Sequence, residues 1–370
     1  MTWMPADPYN ALPELPPRED VESKSILKAT IEARAALAAL DQAAKRMTKP
    51  TVLINSLPLL EAQASSEIEN IVTTTDDLFR FAQDELAASN PATKDTLRYR
   101  KALFAGIALS RARPLSANTA AEVCSIIKDR HMDVRKLPGT YTGNPATHAA
   151  IDTPPVGQNL IMDKLSNWER FIHESRGVDP LVVMAIAHYQ FEAIHPFEDG
   201  NGRTGRIVNV LMLIGAGLIS EPILYLSRYI VERTDEYYRL LLGVTRDANW
   251  EDWILFMLEG IRKTALSTIA KIDQIQHLQE EMLAEIRAVT PGANADLLAV
   301  LFEQPYCRIS NVVHRCGASR PTATNWLNAL VREGALTDVK AGRERIFINT
   351  KFFKLLMRPE SAPEPEPTLF

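Results

Sequence analysis

A twelve-residue segment in the middle of the chain concentrates side chains that nucleotide chemistry requires. It runs from His195 to Arg206 and reads HPFEDGNGRTGR. Its glycine-rich turn leads into a predicted helix, where free backbone N–H groups and the positive end of the helix dipole form an anion site. Arg203 and Arg206 are three residues apart, so they share one face of the first helical turns. Two guanidinium groups beside an anion site suit a polyphosphate.

Two other side chains of the segment add reactive groups. Asp199 lies at the mouth of the anion site and suits Mg²⁺, which often takes one or two carboxylates plus phosphate oxygens. His195 follows an apolar helix that Pro196 ends, and an imidazole there can accept a proton at neutral pH. Taken singly, each feature more often has a structural role, as a capping histidine, a turn or a solvated face. Together they are the components of nucleotide transfer.

The whole segment matches the Fic family motif, His-Pro-Phe-x-Asp/Glu-Gly-Asn-Gly-Arg-x-x-Arg, at every specified position. The chain thus resembles the Fic/DOC family of protein adenylyltransferases, and among them the SoFic-like members. The resemblance implies transfer of AMP from ATP, with Mg²⁺, to a Ser, Thr or Tyr hydroxyl of a protein substrate. It also allows self-modification and favours a homodimer.

The resemblance implies a role for each position of the motif. His195 is the expected general base, and Asp199 is the expected Mg²⁺ ligand. Arg203 would support the β-phosphate and Arg206 would grip the γ-phosphate. The expected ATP-binding set is Glu69, His195, Gly200, Asn201, Gly202, Arg203, Thr204, Gly205, Arg206 and Tyr238. Within it, the Gly-Asn-Gly turn forms the anion hole, and Tyr238 lies against adenine unless it only packs in the core.

A second match to the family lies upstream, on a predicted helix. Ser65, Glu69 and Asn70 fit its inhibitory pattern, Ser/Thr-x-x-x-Glu-Gly/Asn. The resemblance implies that Glu69 pairs with Arg206, and one guanidinium cannot bind a carboxylate and a γ-phosphate at once. Because the pattern precedes the motif in the same chain, we expect self-inhibition. The ordinary alternative is that Glu69 is an exposed carboxylate on a helix without this role. The sequence also leaves open whether Glu69 takes part in removing AMP.

The expected fold class is mainly α, with a Fic-fold helical core, a small β-hairpin flap and a C-terminal winged helix-turn-helix. We expect the flap over 137–155, where it would add the target segment as an extra strand, although a surface loop is the alternative. In the second predicted helix, Ser56 is the expected cap and Pro58 lies in the first turn. The predicted regions are an N-terminal arm and helices with the inhibitory helix (1–112), the catalytic core (113–260), a connecting helix (261–292), the winged helix-turn-helix (293–352) and a disordered tail (353–370).

The charge and composition of the chain limit which kinds of molecule it is expected to bind. The net charge of the 370-residue chain is −5, so only a local surface could bind a polyanion. Basic residues outnumber acidic ones between Pro305 and Asn349, which permits DNA contact through 293–352; protein docking or dimerisation is the alternative. Three scattered cysteines, no apparent signal peptide and no membrane-length apolar run predict a cytoplasmic protein without a membrane partner.

Two functional alternatives remain open at this point. Some Fic-fold proteins transfer phosphate, UMP or phosphocholine, but the intact DGNGR sequence favours a nucleotide whose triphosphate is held in the usual orientation. The other alternative is a DNA-binding regulator whose Fic core senses a nucleotide. A P-loop enzyme is disfavoured because the chain has no Gly-x-x-x-x-Gly-Lys-Ser/Thr string.

Overall fold

Helices make up most of the described chain, so the predicted mainly α class is confirmed. The computed structural model describes residues 3–47, 51–82, 85–137, 142–143, 150–290, 292–293, 295–341 and 344–358. In the N-terminal third the helices are α1 (Lys24–Arg46), α2 (Thr51–Ile68), α3 (Thr75–Phe81), a short 3-10 helix (Glu85–Ala87), α4 (Pro91–Ala112) and α5 (Ala117–Lys128). In the middle they are α6 (Gln158–Glu174), α7 (Pro180–Ile194), α8 (Asn201–Gly215), α9 (Leu226–Val231), α10 (Thr234–Asp247) and α11 (Trp250–Val289).

Two small antiparallel sheets accompany the helices. Strands β1 (Thr142–Gly143) and β2 (Ala150–Asp152) pair where the flap is expected, and residues 138–141 and 144–149 of that segment lie outside the described residues. The C-terminal region contains α12 (Ala295–Glu303), β3 (Tyr306–Arg308), α13 (Ile309–Cys316), α14 (Arg320–Arg332), β4 (Thr337–Ala341), β5 (Glu344–Ile348) and α15 (Thr350–Met357). Its strand order is β3-β5-β4, so the β4–β5 hairpin gains a third strand that the sequence pattern did not predict.

Helix α7 is the buried centre of the core, and two tryptophans fix it from opposite neighbours. Trp168 of α6 donates its indole N–H to Ala187 O at 2.9 Å, and Trp253 of α11 donates to Ala185 O at 2.8 Å. Such bonds satisfy the polar end of each ring inside an otherwise apolar core. They hold the helix that ends immediately before His195.

The N-terminal arm lies against the middle of the chain. Tyr9 N–H donates to Thr153 O at 2.9 Å, beside β2. Further along, the Asn167 side chain on α6 bonds both backbone groups of Leu15, at 2.8 and 2.9 Å. The arm therefore has fixed partners on the β2–α6 segment.

Helix α2 begins earlier than predicted. It starts at Thr51, so Ser56 is not its cap, and Pro58 lies inside the helix instead of in its first turn. A proline inside a helix costs about 3 kcal/mol, because it removes one hydrogen bond and crowds the preceding turn. Burial of most of α2, including Leu57 and Leu60, offsets that cost. This tertiary contribution is invisible to local sequence rules.

Two other boundaries differ from the prediction. The expected junction at residue 260 falls inside α11, which continues unbroken to Val289. The prediction of a disordered tail over 353–370 is wrong for 353–357, because these residues belong to α15 and bury Leu355 and Leu356. Residues 359–370 lie outside the described residues. No helix in the described part of the chain has the length and apolarity of a membrane span.

The close packing of α9 against α11 generates a stability prediction. An alanine methyl group at Gly260 would lie 2.7 Å from Tyr229 Cδ1, so Gly260→Ala should lower the free energy of unfolding by about 1–3 kcal/mol. Gly243→Ala is the matched control, since its nearest neighbour is 4.0 Å away, and it should gain about 0.5–1 kcal/mol from helix propensity. Urea unfolding followed by circular dichroism measures both. Equal stabilisation by the two substitutions would show that Tyr229 moves aside freely.

Candidate active site

The loop between α7 and α8 is held by backbone conformation and by one side chain. Gly200 precedes α8 with φ of 82°, a conformation that favours glycine, and a Cβ there would lie 3.2 Å from Cys124 Sγ. The Asn201 amide accepts from Phe197 N–H and donates to Phe197 O, both at 2.8 Å. The Asn201 side chain therefore closes the loop, and only its backbone is left for an anion.

The first turn of α8 is the place where the anion cradle is expected. No side chain caps this end of the helix, so its first N–H groups have no capping acceptor. The space above Gly202 is filled by the Glu69 carboxylate: a Cβ at residue 202 would collide with Glu69 Oε1 and lie 3.0 Å from Arg206 Nη1. An upstream carboxylate thus occupies the place where the sequence predicted phosphate.

Arg206 is buried and is held by Ser65 on α2 and by Glu69 immediately after that helix. Its Nη2 lies 2.8 Å from Glu69 Oε1 and 2.8 Å from Ser65 O, and its Nε donates to Ser65 Oγ at 2.7 Å. The Arg206 side chain is 3% exposed and that of Glu69 is 35% exposed. Burial lowers the pKa of Arg206, but Glu69, Tyr237 and Glu192 together raise it more, so the net shift is upward.

Asn70 has a different place from Ser65 and Glu69. It follows the end of α2, is exposed and adopts a left-handed conformation with φ of 58°. Asparagine and glycine tolerate this conformation better than other residues, which explains their preference at this point of the pattern. Asn70 therefore lies in the turn that follows α2, directly after Glu69, and it is not one of the partners of Arg206.

Arg203 also has an internal partner. Its Nη1 lies 2.5 Å from Asp95 Oδ2 on α4, and the Arg203 side chain is 1% exposed. Its buried Nε has no acceptor within the described chain. An unsatisfied buried donor is costly, and an anion at the cradle would offer it one.

His195 stands at the C-terminal end of α7 in a left-handed conformation, with φ of 49°. Its Nδ1 lies 3.3 Å from Glu192 O. Because a carbonyl only accepts, Nδ1 carries the proton and Nε2 is the basic nitrogen. Burial, followed by the nearby charge of Arg135, lowers the pKa of His195 to about 4, so the ring is neutral at pH 7.

Arg135 fixes the position of His195, and no sequence pattern had singled it out. It is buried, and its Nε donates to His195 O at 2.7 Å. Its Nη2 donates to Pro155 O, at the end of the expected flap segment, and its backbone N–H donates to Pro196 O at 2.9 Å. Arg135 therefore joins the base of the flap to the turn that carries the histidine.

Asp199 is paired with Lys128 at the end of α5, with Nζ 2.5 Å from Oδ2. Burial raises the pKa of Asp199, but the hydrogen bond and charge of Lys128 outweigh it and hold that pKa below its ordinary value. No group of three or more His, Cys, Asp or Glu side chains in the described part of the chain could hold a metal alone. One carboxylate beside a phosphate cradle fits Mg²⁺ that arrives with phosphate oxygens.

Glu192 is a further carboxylate that sequence reasoning missed. Its Oε1 is buried without a hydrogen-bond partner among the described residues, and a Cβ at Gly205 would lie 2.5 Å from it. Burial raises the pKa of Glu192 to about 7, although the charge of Arg206 acts in the opposite direction. The only sequence signal for it is its position three residues before His195.

The remaining predicted ATP-binding residues are Thr204, Gly205 and Tyr238. Thr204 is buried, and its N–H already donates to Gly200 O at 3.0 Å. Gly205 packs against α7, where any Cβ would meet Glu192. Tyr238 is half-buried, and burial followed by the charge of Glu69 raises its pKa. Tyr238 thus lies near Glu69, and its expected contact with adenine stays a prediction.

The predicted DNA-binding segment has fewer free cations than its sequence suggests. Arg345 bonds Asp338 at 2.5 Å and Asn328 at 2.6 Å. Arg315 lies 3.6 Å from Glu303, and Arg343 falls outside the described residues. Part of the local positive charge is therefore neutralised within the segment.

Three family models match successive parts of the chain. The model of the Fic/DOC family N-terminal region matches residues 27–108, and that of the Fic/DOC family matches 114–213, which includes the HPFEDGNGRTGR segment. The model of the protein adenylyltransferase SoFic-like C-terminal domain matches 263–352. Together they cover well over half of the sequence, and the chain belongs to the Fic/DOC family.

Similar proteins agree with this assignment. Protein adenylyltransferase fic-1 of Caenorhabditis elegans is 35% identical over 89 residues, which is 24% of this chain and 16% of that protein. Protein adenylyltransferase Fic of Drosophila melanogaster is 30% identical over 105 residues, which is 28% of this chain and 20% of the relative. This chain thus spans a fifth or less of the length of either protein. A Fic family protein from Desulfovibrio desulfuricans shares the fold, with a TM-score of 0.55, 19% identity, and coverage of 90% of this chain and 98% of that one.

The lowered pKa of His195 gives a direct prediction. In the nucleotide-free protein, the His195 C2–H resonance should keep one chemical shift between pH 5.5 and 8, because protonation occurs near pH 4. The unfolded chain binds this proton near the ordinary histidine pKa of about 6.5, so the contribution of the neutral ring to stability falls as the pH drops from there towards 4. His195→Gln assigns the resonance, and a midpoint near 6.5 would contradict the lowered pKa of the ring.

Proposed function

We propose that this chain is a protein adenylyltransferase that transfers AMP from ATP to a protein hydroxyl. The arrangement that carries the proposal is the neutral His195 beside an uncapped helix N-terminus with two buried arginines. The family assignment and the relatives named protein adenylyltransferase support the same chemistry. The substrate is a protein with a Ser, Thr or Tyr hydroxyl, and self-modification belongs to the same proposal.

In the proposed reaction, His195 Nε2 takes the proton of the target hydroxyl. The hydroxyl oxygen then bonds to the α-phosphorus, and the bond from that phosphorus to the bridging oxygen breaks, so pyrophosphate leaves. Backbone N–H groups at Gly202 and Arg203 would stabilise charge on the phosphates. Asp199 would hold Mg²⁺, which neutralises phosphate charge. Negative phosphates beside His195 would also raise its pKa from about 4 towards neutrality, which strengthens the base.

We further propose that the observed arrangement is the inhibited state. Glu69 takes the Arg206 donor that the γ-phosphate needs, and it also fills the space above Gly202. A carboxylate and a phosphate at this point would repel each other in a partly buried site. Nucleotide in the productive orientation therefore requires Glu69 to leave.

The alternative of a DNA-binding regulator predicts retention of DNA at physiological salt without AMP transfer. The partial neutralisation of the basic residues in 293–352 gives that alternative no added support. Homodimer formation likewise stays a prediction from the family resemblance.

The central test is label transfer to protein from ATP carrying ³²P at the α or the γ position. We expect α-label, without γ-label, on protein. Glu69→Gly should raise the rate roughly 10- to 100-fold, because a freed charged hydrogen bond to phosphate is worth about 1.5–3 kcal/mol. His195→Ala in the Glu69→Gly background should lower it by about 10²–10⁴-fold.

Glu67→Gly is the matched control for Glu69→Gly. It removes an exposed carboxylate from the last turn of α2, two residues before Glu69. Glu67 is not among the residues that bond the Arg206 guanidinium. Its rate should stay close to that of the unmodified protein. Equal activation by both substitutions would mean that loosening α2, and not removal of the carboxylate, is responsible. Label from the γ position instead of the α position would overturn AMP transfer in favour of phosphate transfer.

A further inference from the structure

Asp199, the expected ligand of the divalent cation, is already paired with a lysine. Lys128 Nζ lies 2.5 Å from Asp199 Oδ2, although the two residues are 71 positions apart in sequence. The lysine side chain is 20% exposed, so most of it is packed, whereas Asp199 is 56% exposed. The lysine is thus held by the protein, and the carboxylate still has access to solvent.

Other contacts between α5 and the loop keep this pair in place. A Cβ at Gly200 would lie 3.4 Å from Lys128 Cγ and 3.3 Å from Lys128 Cδ, so the lysine stem rests on the loop at its glycine. One turn earlier on α5, Cys124 Sγ donates to Asp199 O at 3.3 Å. These packed, uncharged groups therefore hold the Lys128 ammonium beside the Asp199 carboxylate.

We propose that Lys128 is a built-in competitor of the divalent cation at Asp199, and that the cation binds well only when a triphosphate arrives with it. The proposal rests on the proposed function, because it takes Asp199 as the cation ligand. An ammonium group and Mg²⁺ cannot share one carboxylate oxygen at contact distance without strong repulsion. A triphosphate changes this balance, since its oxygens ligate the cation and also offer Lys128 a new anionic partner.

This competition would link cation binding to nucleotide binding. Without nucleotide, the cation must displace Lys128 and gains only one carboxylate. With nucleotide, the cradle at α8 and the Lys128 ammonium both face the phosphates. The chemical class that the site selects is therefore a divalent cation already bound to a polyphosphate.

The test is Mn²⁺ binding to the nucleotide-free full chain, measured by the enhancement of water-proton relaxation, which needs no catalysis. Lys128→Met removes the charge but keeps a stem that can pack on Gly200. We expect Mn²⁺ to bind Lys128→Met roughly three- to fivefold more tightly, the size that a partly exposed ion pair allows. Lys128→Arg should bind Mn²⁺ like the unmodified protein, because it keeps the competing charge.

Lys28→Met, an exposed lysine of α1, is the control for loss of one positive charge elsewhere, and it should leave Mn²⁺ affinity unchanged. Lys128→Arg serves as the folded reference. If Lys128→Met binds Mn²⁺ as tightly as the reference or more weakly, Lys128 does not compete with the cation. If Mn²⁺ binding contradicts the competition while α-label transfer occurs in Glu69→Gly and is lost in Glu69→Gly with Asp199→Asn, only the inference about Lys128 has failed. If no variant transfers label, the proposed function has failed instead.

Discussion

The buried guanidinium of Arg206 is the constraint around which the site is arranged. A buried charge needs a counter-charge and satisfied donors, and α2 supplies them through Ser65 and Glu69. Helix α2 also has a polar contact with α9. The buried Glu61 carboxylate of α2 accepts from Ser227 N–H at 3.0 Å and from the Ser227 hydroxyl. Glu61 therefore ties α2 to α9, in addition to the contacts of Ser65 and Glu69 with Arg206.

The same rule applies to the other charges of the site. Arg203 is paired with α4 and Asp199 with α5, so each charged group expected to hold MgATP has a partner from a different upstream helix. In this state Asp199, Arg203 and Arg206 each have a partner of opposite charge without nucleotide. If MgATP binds here as proposed, its binding exchanges these ion pairs instead of adding charge to an unpaired site.

Sequence reasoning went furthest where the chemistry is local. The twelve residues from His195 to Arg206 form one turn and one helix start, so their spacing determines their arrangement. It failed where a role depends on a distant partner: Asp95, Lys128 and Arg135 have no local pattern that separates them from surface charges, and only the fold brings them to the loop. Asn201 shows the converse, since its place in the motif suggested an anion contact, whereas its amide closes the loop.

The secondary structure shows the same division. The long amphipathic helices follow from periodicity, but the start of α2 does not, because Pro58 is tolerated only through burial. Helix α15 was missed because its apolar residues border a Pro- and Glu-rich end that dominates the local composition. Tertiary packing decided both cases.

The most direct test of the central claim is to measure ATP and ADP binding by calorimetry for two proteins. One carries only His195→Ala, which prevents turnover, and the other carries His195→Ala together with Glu69→Gly. If Glu69 competes with the γ-phosphate for Arg206, the substitution should raise ATP affinity roughly tenfold or more and change ADP affinity by less than about twofold. An equal gain for both nucleotides, or none for either, would contradict the claim that Glu69 and the γ-phosphate compete for one guanidinium.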